Sequence, residues 1–233
     1  MTLPSPPTLT RPSVLLFDLD GTLVDSADGS VWSFEATLRD FDRVVEQSRL
    51  RTFIGPPLDY SFAQLGFSAA EMDNVLVRYR DHYQREGVHR CHLYNGVRSL
   101  LESLTAQHVP LVVATAKRVD FANDILTAFG IAHHFPVVCG ASVDGRLTSK
   151  DVIVAEAIAR TDAPNTNGWM VGDRRFDVVA AHQHDLSSIG ATWGYGSVDE
   201  LTDAGASVLV DSPQQLGELV LGAPVAREFN RAQ

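Results

Sequence analysis

From Ser13 onward, short apolar runs alternate with stretches in which apolar residues recur every three or four positions. Val14-Leu15-Leu16-Phe17 is uninterrupted and closes on Asp18-Leu19-Asp20-Gly21-Thr22, which predicts a buried strand followed by a tight turn. The texture then changes. Val31, Phe34, Leu38 and Phe41 recur at helical spacing, and Met72, Val75, Leu76 and Tyr79 share one face of a helix over about Ala69 to Arg85. Arg51-Thr52-Phe53-Ile54-Gly55-Pro56-Pro57 between them reads as a turn, followed by a short amphipathic piece through Leu65. No strand is expected in this region, which reads as a helical insertion.

From Tyr94 the pattern becomes regular. Leu100, Leu101 and Leu104 mark a helix, Leu111 to Ala114 a strand, and Phe121, Ile125, Leu126 and Phe129 a helix that Gly130 ends. Further strands are expected at Pro136 to Cys139, Trp169 to Val171, Ser188 to Ala191 and Val208 to Val210, with helices at Val152 to Ala159 and Val178 to His182. Helices alternating with short apolar strands predict an α/β fold with a Rossmann-like, mostly parallel sheet covered on both faces. The expected division is a tail at 1–12, the α/β core at 13–26 and 93–225, the all-helical insertion at 27–92, and a second tail at 226–233.

The bulk properties narrow the function. A chain of 233 residues with 45% hydrophobic content can bury a real core. A formal net charge of −10 argues against binding a nucleic acid polymer or an anionic membrane, and no apolar run reaches spanning length. Cys91 and Cys139 have no metal-ligand spacing, as expected of reduced thiols in a cytoplasmic protein, and the N-terminus has no signal-peptide core. Lys117 and Lys150 are the two lysines, and every other basic side chain except histidine is Arg. The histidines, including His133-His134 and the pair His182 and His184, show no persuasive metal geometry.

Three expected strands end in residues of chemical interest, Asp18, Thr115 and Asp173. In open α/β sheets, ligands bind beyond the carboxyl ends of the strands, so these positions can converge. Asp18 and Asp20 are spaced i, i+2 and can face one way. Two close carboxylates need a positive partner, and Mg²⁺ favours carboxylate and phosphate oxygens.

The run Asp18-Leu19-Asp20-Gly21-Thr22-Leu23-Val24-Asp25-Ser26 after an apolar strand resembles the first motif of the haloacid dehalogenase-like hydrolases, mostly phosphatases. Val112 to Thr115, Lys150, and Gly172-Asp173-Arg174-Arg175-Phe176-Asp177 resemble the next three motifs in the same order. The resemblance spans Ser13 to about Leu221 and implies roles. Asp18 is the nucleophile, Asp20 the general acid and base, Thr115 a phosphoryl-oxygen donor, and Lys150 a charge-offsetting ammonium. Asp18, Asp20 (through its carbonyl), Asp173 and Asp177 are the metal set. Thr22, Arg51, Phe53, Gly55, Ala116 and Lys117 are the expected substrate contacts. The helical insertion resembles the family's cap, which closes over the site and carries much of the substrate choice.

Within the family the chain is similar to the phosphoglycolate phosphatase-like group. Phe53-Ile54-Gly55-Pro56-Pro57-Leu58 and Thr192-Trp193-Gly194-Tyr195-Gly196-Ser197 are similar to its 5′-nucleotidase-like branch. The resemblance implies a small phosphorylated substrate, Mg²⁺, and a monomer or homodimer. Asp20 argues against dehalogenation, which needs no acid there. No lysine precedes Lys117, which excludes phosphonate hydrolysis through a cap lysine. A phosphoglycolate phosphatase, a phosphosugar mutase and a non-catalytic binding protein remain alternatives.

Overall fold

A computed structural model describes residues 11–142, 149–161 and 167–222. Most of both expected tails, and Leu147-Thr148 ahead of Lys150, lie outside these residues. The central strand is β1 (Val14–Phe17), and all four of its side chains are buried. Alternation sends Leu15 and Phe17 to one face of the sheet and Val14 and Leu16 to the other.

The other core strands are β4 (Leu111–Arg118), β5 (Val137–Ala141), β6 (Gly168–Gly172), β7 (Ser187–Ala191) and β8 (Val208–Val210). They form one parallel sheet in the order β5-β4-β1-β6-β7-β8. Leu15 is in register with Leu111 on one side and Trp169 on the other. The chain therefore leaves β1 toward both edges, and a crevice opens at its carboxyl end.

Helices α5 (Val97–Ala106), α6 (Val119–Ala128) and α10 (Pro213–Leu221) cover the face carrying Leu15 and Phe17. Helices α7 (Lys150–Ala159) and α8 (Arg175–Gln183) cover the opposite face through Ile153, Val154, Ala157, Ala180 and Ala181. A short α9 (Val198–Asp203) precedes β8. The parallel sheet clad on both faces matches the expected fold class.

The insertion comprises α1 (Ala27–Asp40), α2 (Gln47–Arg51), α3 (Leu58–Gln64) and α4 (Ala69–Arg85). It has its own core, in which Phe34 lies 5.2 Å from Phe62 and 4.8 Å from Tyr79, ring centre to ring centre. Two strands that the periodicity does not reveal close its base. Val24–Asp25 (β2) pairs antiparallel with His92–Leu93 (β3). His92, expected in the helical insertion, therefore belongs to a strand. Two residues are too few to carry a period-2 signal.

Candidate active site

The acids of the first turn stand where β1 stops. Gly21 makes the turn possible, with φ +80 and no room for a side chain. A Cβ there would sit 2.2 Å from Asp173 Oδ2. Asp173 follows β6, the neighbour of β1, so residues more than 150 positions apart in sequence meet at one crevice.

Lys150 lies in the first turn of α7, two residues earlier than the expected helix start. A cation is unfavourable at that end of a helix dipole. Here the acids outweigh the dipole. Its Nζ lies 2.8 Å from Asp18 Oδ1 and 2.7 Å from Asp177 Oδ1, and all three side chains are buried. Burial pulls the ammonium pKa down, but Asp177 and Asp18 push harder, and the net shift is upward. Asp18 Oδ1 also accepts the Leu19 backbone N–H at 2.8 Å.

Asp18, Asp173 and Asp177 each offer an oxygen within 4.8 Å of the others. Lys150 pairs with two of these three buried carboxylates, Asp18 and Asp177. Burial, then the charges of Asp177 and Asp18, raise Asp173 well above the usual carboxylate range. Burial also raises Asp177, to about 6, against the pull of Lys150. A surplus of buried negative charge built from hard oxygen donors fits a divalent cation such as Mg²⁺. Of the two acids from β6 and α8, Asp177 is the one ion-paired to Lys150, with its other oxygen accepting the Arg174 N–H at 3.0 Å.

Asp20 belongs to a separate pair. Its side chain lies outside the acidic triad, with Lys117 Nζ 2.9 Å from Oδ2 and the Ser26 hydroxyl donating to Oδ1. Lys117 also donates to the Tyr83 hydroxyl at 2.8 Å. Burial lowers the Lys117 pKa, but Asp20, with Cys91 and Tyr79, more than reverses this. The buried Thr115 hydroxyl accepts the Lys117 N–H at 3.2 Å, which leaves its own proton to donate.

A cavity of about 380 Å³ opens above Asp20 between core and insertion. Phe53, Gly55, Ala116 and Lys117 line it as expected substrate contacts. Two other expected contacts do not. Thr22 is buried, and its hydroxyl donates to Asp173 Oδ1 at 3.2 Å, so it orients an acid. Arg51 points to the surface, where it pairs with Asp28 at 3.0 Å, because α2 buries Leu50 and turns its neighbour outward. The expectation that Arg51 contacts the substrate is corrected accordingly.

Several contributors escaped sequence reasoning. Tyr195 donates its N–H to Asp173 Oδ2 at 2.8 Å, and its hydroxyl accepts the Ser26 N–H and donates to Asp25. Trp193 Nε1 donates to the Thr22 carbonyl at 3.0 Å. The signal was the glycine spacing of that loop. A Cβ on Gly194 would come within 2.3 Å of Asp173, and one on Gly196 within 1.9 Å of the Asp173 carbonyl. Arg174 joins the two halves of the molecule by donating to the Ile54 carbonyl and to Glu200.

The chain is similar to known proteins over most of its length. Over 199 residues the chain is 37% identical to the tyrosine-protein kinase PtkA of Mycobacterium tuberculosis, covering 85% of this chain and 68% of that protein. It is 33% identical over 189 residues to a 5′-nucleotidase of Pseudomonas aeruginosa, covering 80% and 86%. A crystal structure of a predicted phosphatase from Clostridium acetobutylicum superposes with a TM-score of 0.88 at 37% identity, covering 92% of this chain and all of that one. The model of the haloacid dehalogenase-like hydrolases matches residues 15–191. That match runs from the central strand through β7 and takes in every charged residue of the crevice, so the chain belongs to the haloacid dehalogenase-like hydrolase family.

Proposed function

We propose that the protein is a Mg²⁺-dependent phosphatase that hydrolyses small phosphate monoesters through an aspartyl-phosphate on Asp18. The observation that carries this reading is the pairing of Lys150 with both Asp18 and Asp177, which holds the nucleophile at the crevice with an offset charge. One Asp18 oxygen is tied to Lys150 and Leu19, and the other is free to attack phosphorus.

The incoming phosphate competes with Asp20 for the Lys117 ammonium. Released from that pair, Asp20 takes up a proton from solvent and gives it to the leaving oxygen as the Asp18–phosphorus bond forms and the ester bond breaks. Asp20 then takes a proton from the water that attacks the intermediate, releasing phosphate and restoring Asp18. Thr115 donates to a phosphoryl oxygen, and Lys150 offsets the charge on the transferring group. Asp18, the Asp20 carbonyl and Asp173 would hold Mg²⁺, with Asp177 behind them, and the ion would neutralise the phosphoryl oxygens. Residues 27–92 act as the cap.

The aromatic lining, Phe34, Phe53, Tyr79 and Phe121, suits the base or ribose of a nucleoside 5′-monophosphate. The relative named 5′-nucleotidase supports that class. The test is phosphate release across nucleotides, phosphoglycolate, sugar phosphates and a generic aryl phosphate, with and without chelator. Release that depends on added Mg²⁺ is expected. Its absence for every ester, the aryl phosphate included, would leave a non-catalytic binding protein.

A further inference from the structure

One wall of the cavity is a single strap of chain. Seven consecutive residues, 53–59, line it, and the strap carries Phe53 to the space above Asp20. Within the insertion the strap is tied at its ends. The Phe53 N–H donates to the Leu50 carbonyl at 3.1 Å, and the Ser61 N–H donates to the Pro57 carbonyl at 3.1 Å. Between these ties, Pro56 and Pro57 have no N–H to donate, and their rings fix φ, so the segment moves as a stiff unit.

The middle is held from outside the insertion. Arg174 donates Nη1 to the Ile54 carbonyl, and among the described residues that carbonyl has no other partner. Arg174 Nε donates to Glu200 Oε1 at 2.9 Å, and the same oxygen accepts the Arg175 N–H at 3.0 Å. The approach is close. A Cβ on Gly55 would stand 3.0 Å from Arg174 Cγ. Beside it, Tyr60 of α3 meets Phe176 of α8 edge-on, with ring centres 6.5 Å apart.

Two acceptors on separate parts of the chain require a planar fork, which a guanidinium has and an ammonium lacks. The same residue is fixed to the floor. Arg174 directly follows Asp173, and its backbone N–H donates to Asp177 Oδ2 at 3.0 Å. One side chain therefore spans from the acid cluster to the cavity wall.

Resting on the phosphatase reading, we infer that Arg174 is a positioning residue for substrate choice: oriented by Glu200, it anchors the strap and sets how far Phe53 stands from the phosphate-binding floor. It acts through the strap and performs no step of the reaction. A nucleoside 5′-monophosphate reaches from the floor to the strap and depends on that spacing. An ester with one small ring beyond the phosphate depends on it less.

Two measurements on Arg174→Lys and Glu200→Gln test the inference. Amide hydrogen exchange of the whole protein reads the anchor. Exchange within residues 53–58 should be roughly tenfold or more faster in Arg174→Lys than in the wild type, as loss of a charge-assisted bond implies, with β1 and β6 unchanged. Glu200→Gln leaves the Arg174 side chain in place and should speed the same segment by less. Steady-state kinetics reads the consequence. The ratio of kcat/KM for a nucleoside 5′-monophosphate to that for phenyl phosphate should fall roughly tenfold or more in Arg174→Lys, through the nucleotide KM. Unchanged exchange at 53–58, or an equal proportional loss on both esters, overturns the inference. Where Arg174→Lys does not fold, Glu200→Gln decides by the same two criteria. Failure of the wild type to release phosphate from any ester would reject the phosphatase reading and leave the exchange measurement to judge the anchor.

Discussion

The floor and the roof of the cavity are built on different principles. At the floor, Asp18, Asp173, Asp177 and Lys150 are all buried, paired or clustered, and supplied by the ends of adjacent core elements. At the roof, Phe53 and Tyr79 belong to the apolar core of the insertion, and Arg80 stands half-exposed and unpaired among the described residues. The floor concentrates charge in low dielectric, where each group is held by another. The roof presents apolar surface and one cation unpaired among the described residues, and on the proposed reading it selects among ligands and performs no bond chemistry. Damage at the floor should therefore abolish turnover for every substrate, and damage at the roof should be graded.

The largest expected effect is at the nucleophile. Asp18→Asn keeps the side-chain shape and removes the attacking charge. Phosphate release should fall by about 10⁴ to 10⁶ with the fold intact by circular dichroism. Near-normal release from a clean preparation would remove the floor from the mechanism.

Metal removal should be nearly as severe. Chelation should abolish release, Mg²⁺ restore it, and Ca²⁺ inhibit, since Ca²⁺ takes more ligands in looser geometry. The metal-free protein should also show a pH signature. Asp173 and Asp177 have folded pKa values raised above their unfolded ones, with Asp177 at about 6. Between about pH 4 and these raised values the folded state holds more protons than the unfolded state, so stability falls as pH rises through the window. Burial lowers the His134 pKa, which acts in the opposite direction near neutrality. The informative quantity is therefore the difference in melting temperature between chelated and Mg²⁺-saturated protein. It should widen from pH 5 to pH 8, and a constant gap would count against the raised acids.

Phe53→Ala tests the roof. Phe53 lines the cavity, yet its ring lies 6.4 Å from Phe34 within the insertion's core. Truncation of a buried Phe costs about 3–5 kcal/mol, so the melting temperature should drop. A KM that rises for nucleotides more than for an aryl phosphate would mark direct contact with the substrate. An equal loss on all substrates would mark a purely structural role.

The smallest effect is expected at Arg51. Its pair with Asp28 is exposed, and such pairs contribute about 0.2–1 kcal/mol. Arg51→Ala should leave kcat/KM within about twofold, a change of under 0.5 kcal/mol. A KM increase of tenfold or more would return Arg51 to the substrate site.

The floor was legible because its chemistry restricts both residue type and place. An apolar run ending in Asp18 and another ending in Gly172-Asp173 announce strands whose carboxyl ends converge. Lys150 was legible as a cation at an unfavourable helix position in a lysine-poor chain. Thr22 and Arg51 misled for opposite reasons. The Thr22 hydroxyl is consumed by Asp173, and a one-residue rotation on a short helix carries Arg51 outward.

Hydrophobic periodicity along the chain was enough to determine the helical insertion and most of the alternating helices and strands of the core, but not β2, β3, α9 or α10. Periodicity reports which face of an element is buried, and a parallel sheet follows from that local pattern. Only the tertiary structure decided which polar atoms satisfy one another. Tyr195 on Asp173, Ser26 on Asp20 and Arg174 on the Ile54 carbonyl all depend on how separate elements pack in space. Hydrogen bonds and ion pairs act over a few ångströms, so they depend on the packed arrangement of the elements and leave little trace in the spacing of residues along the chain.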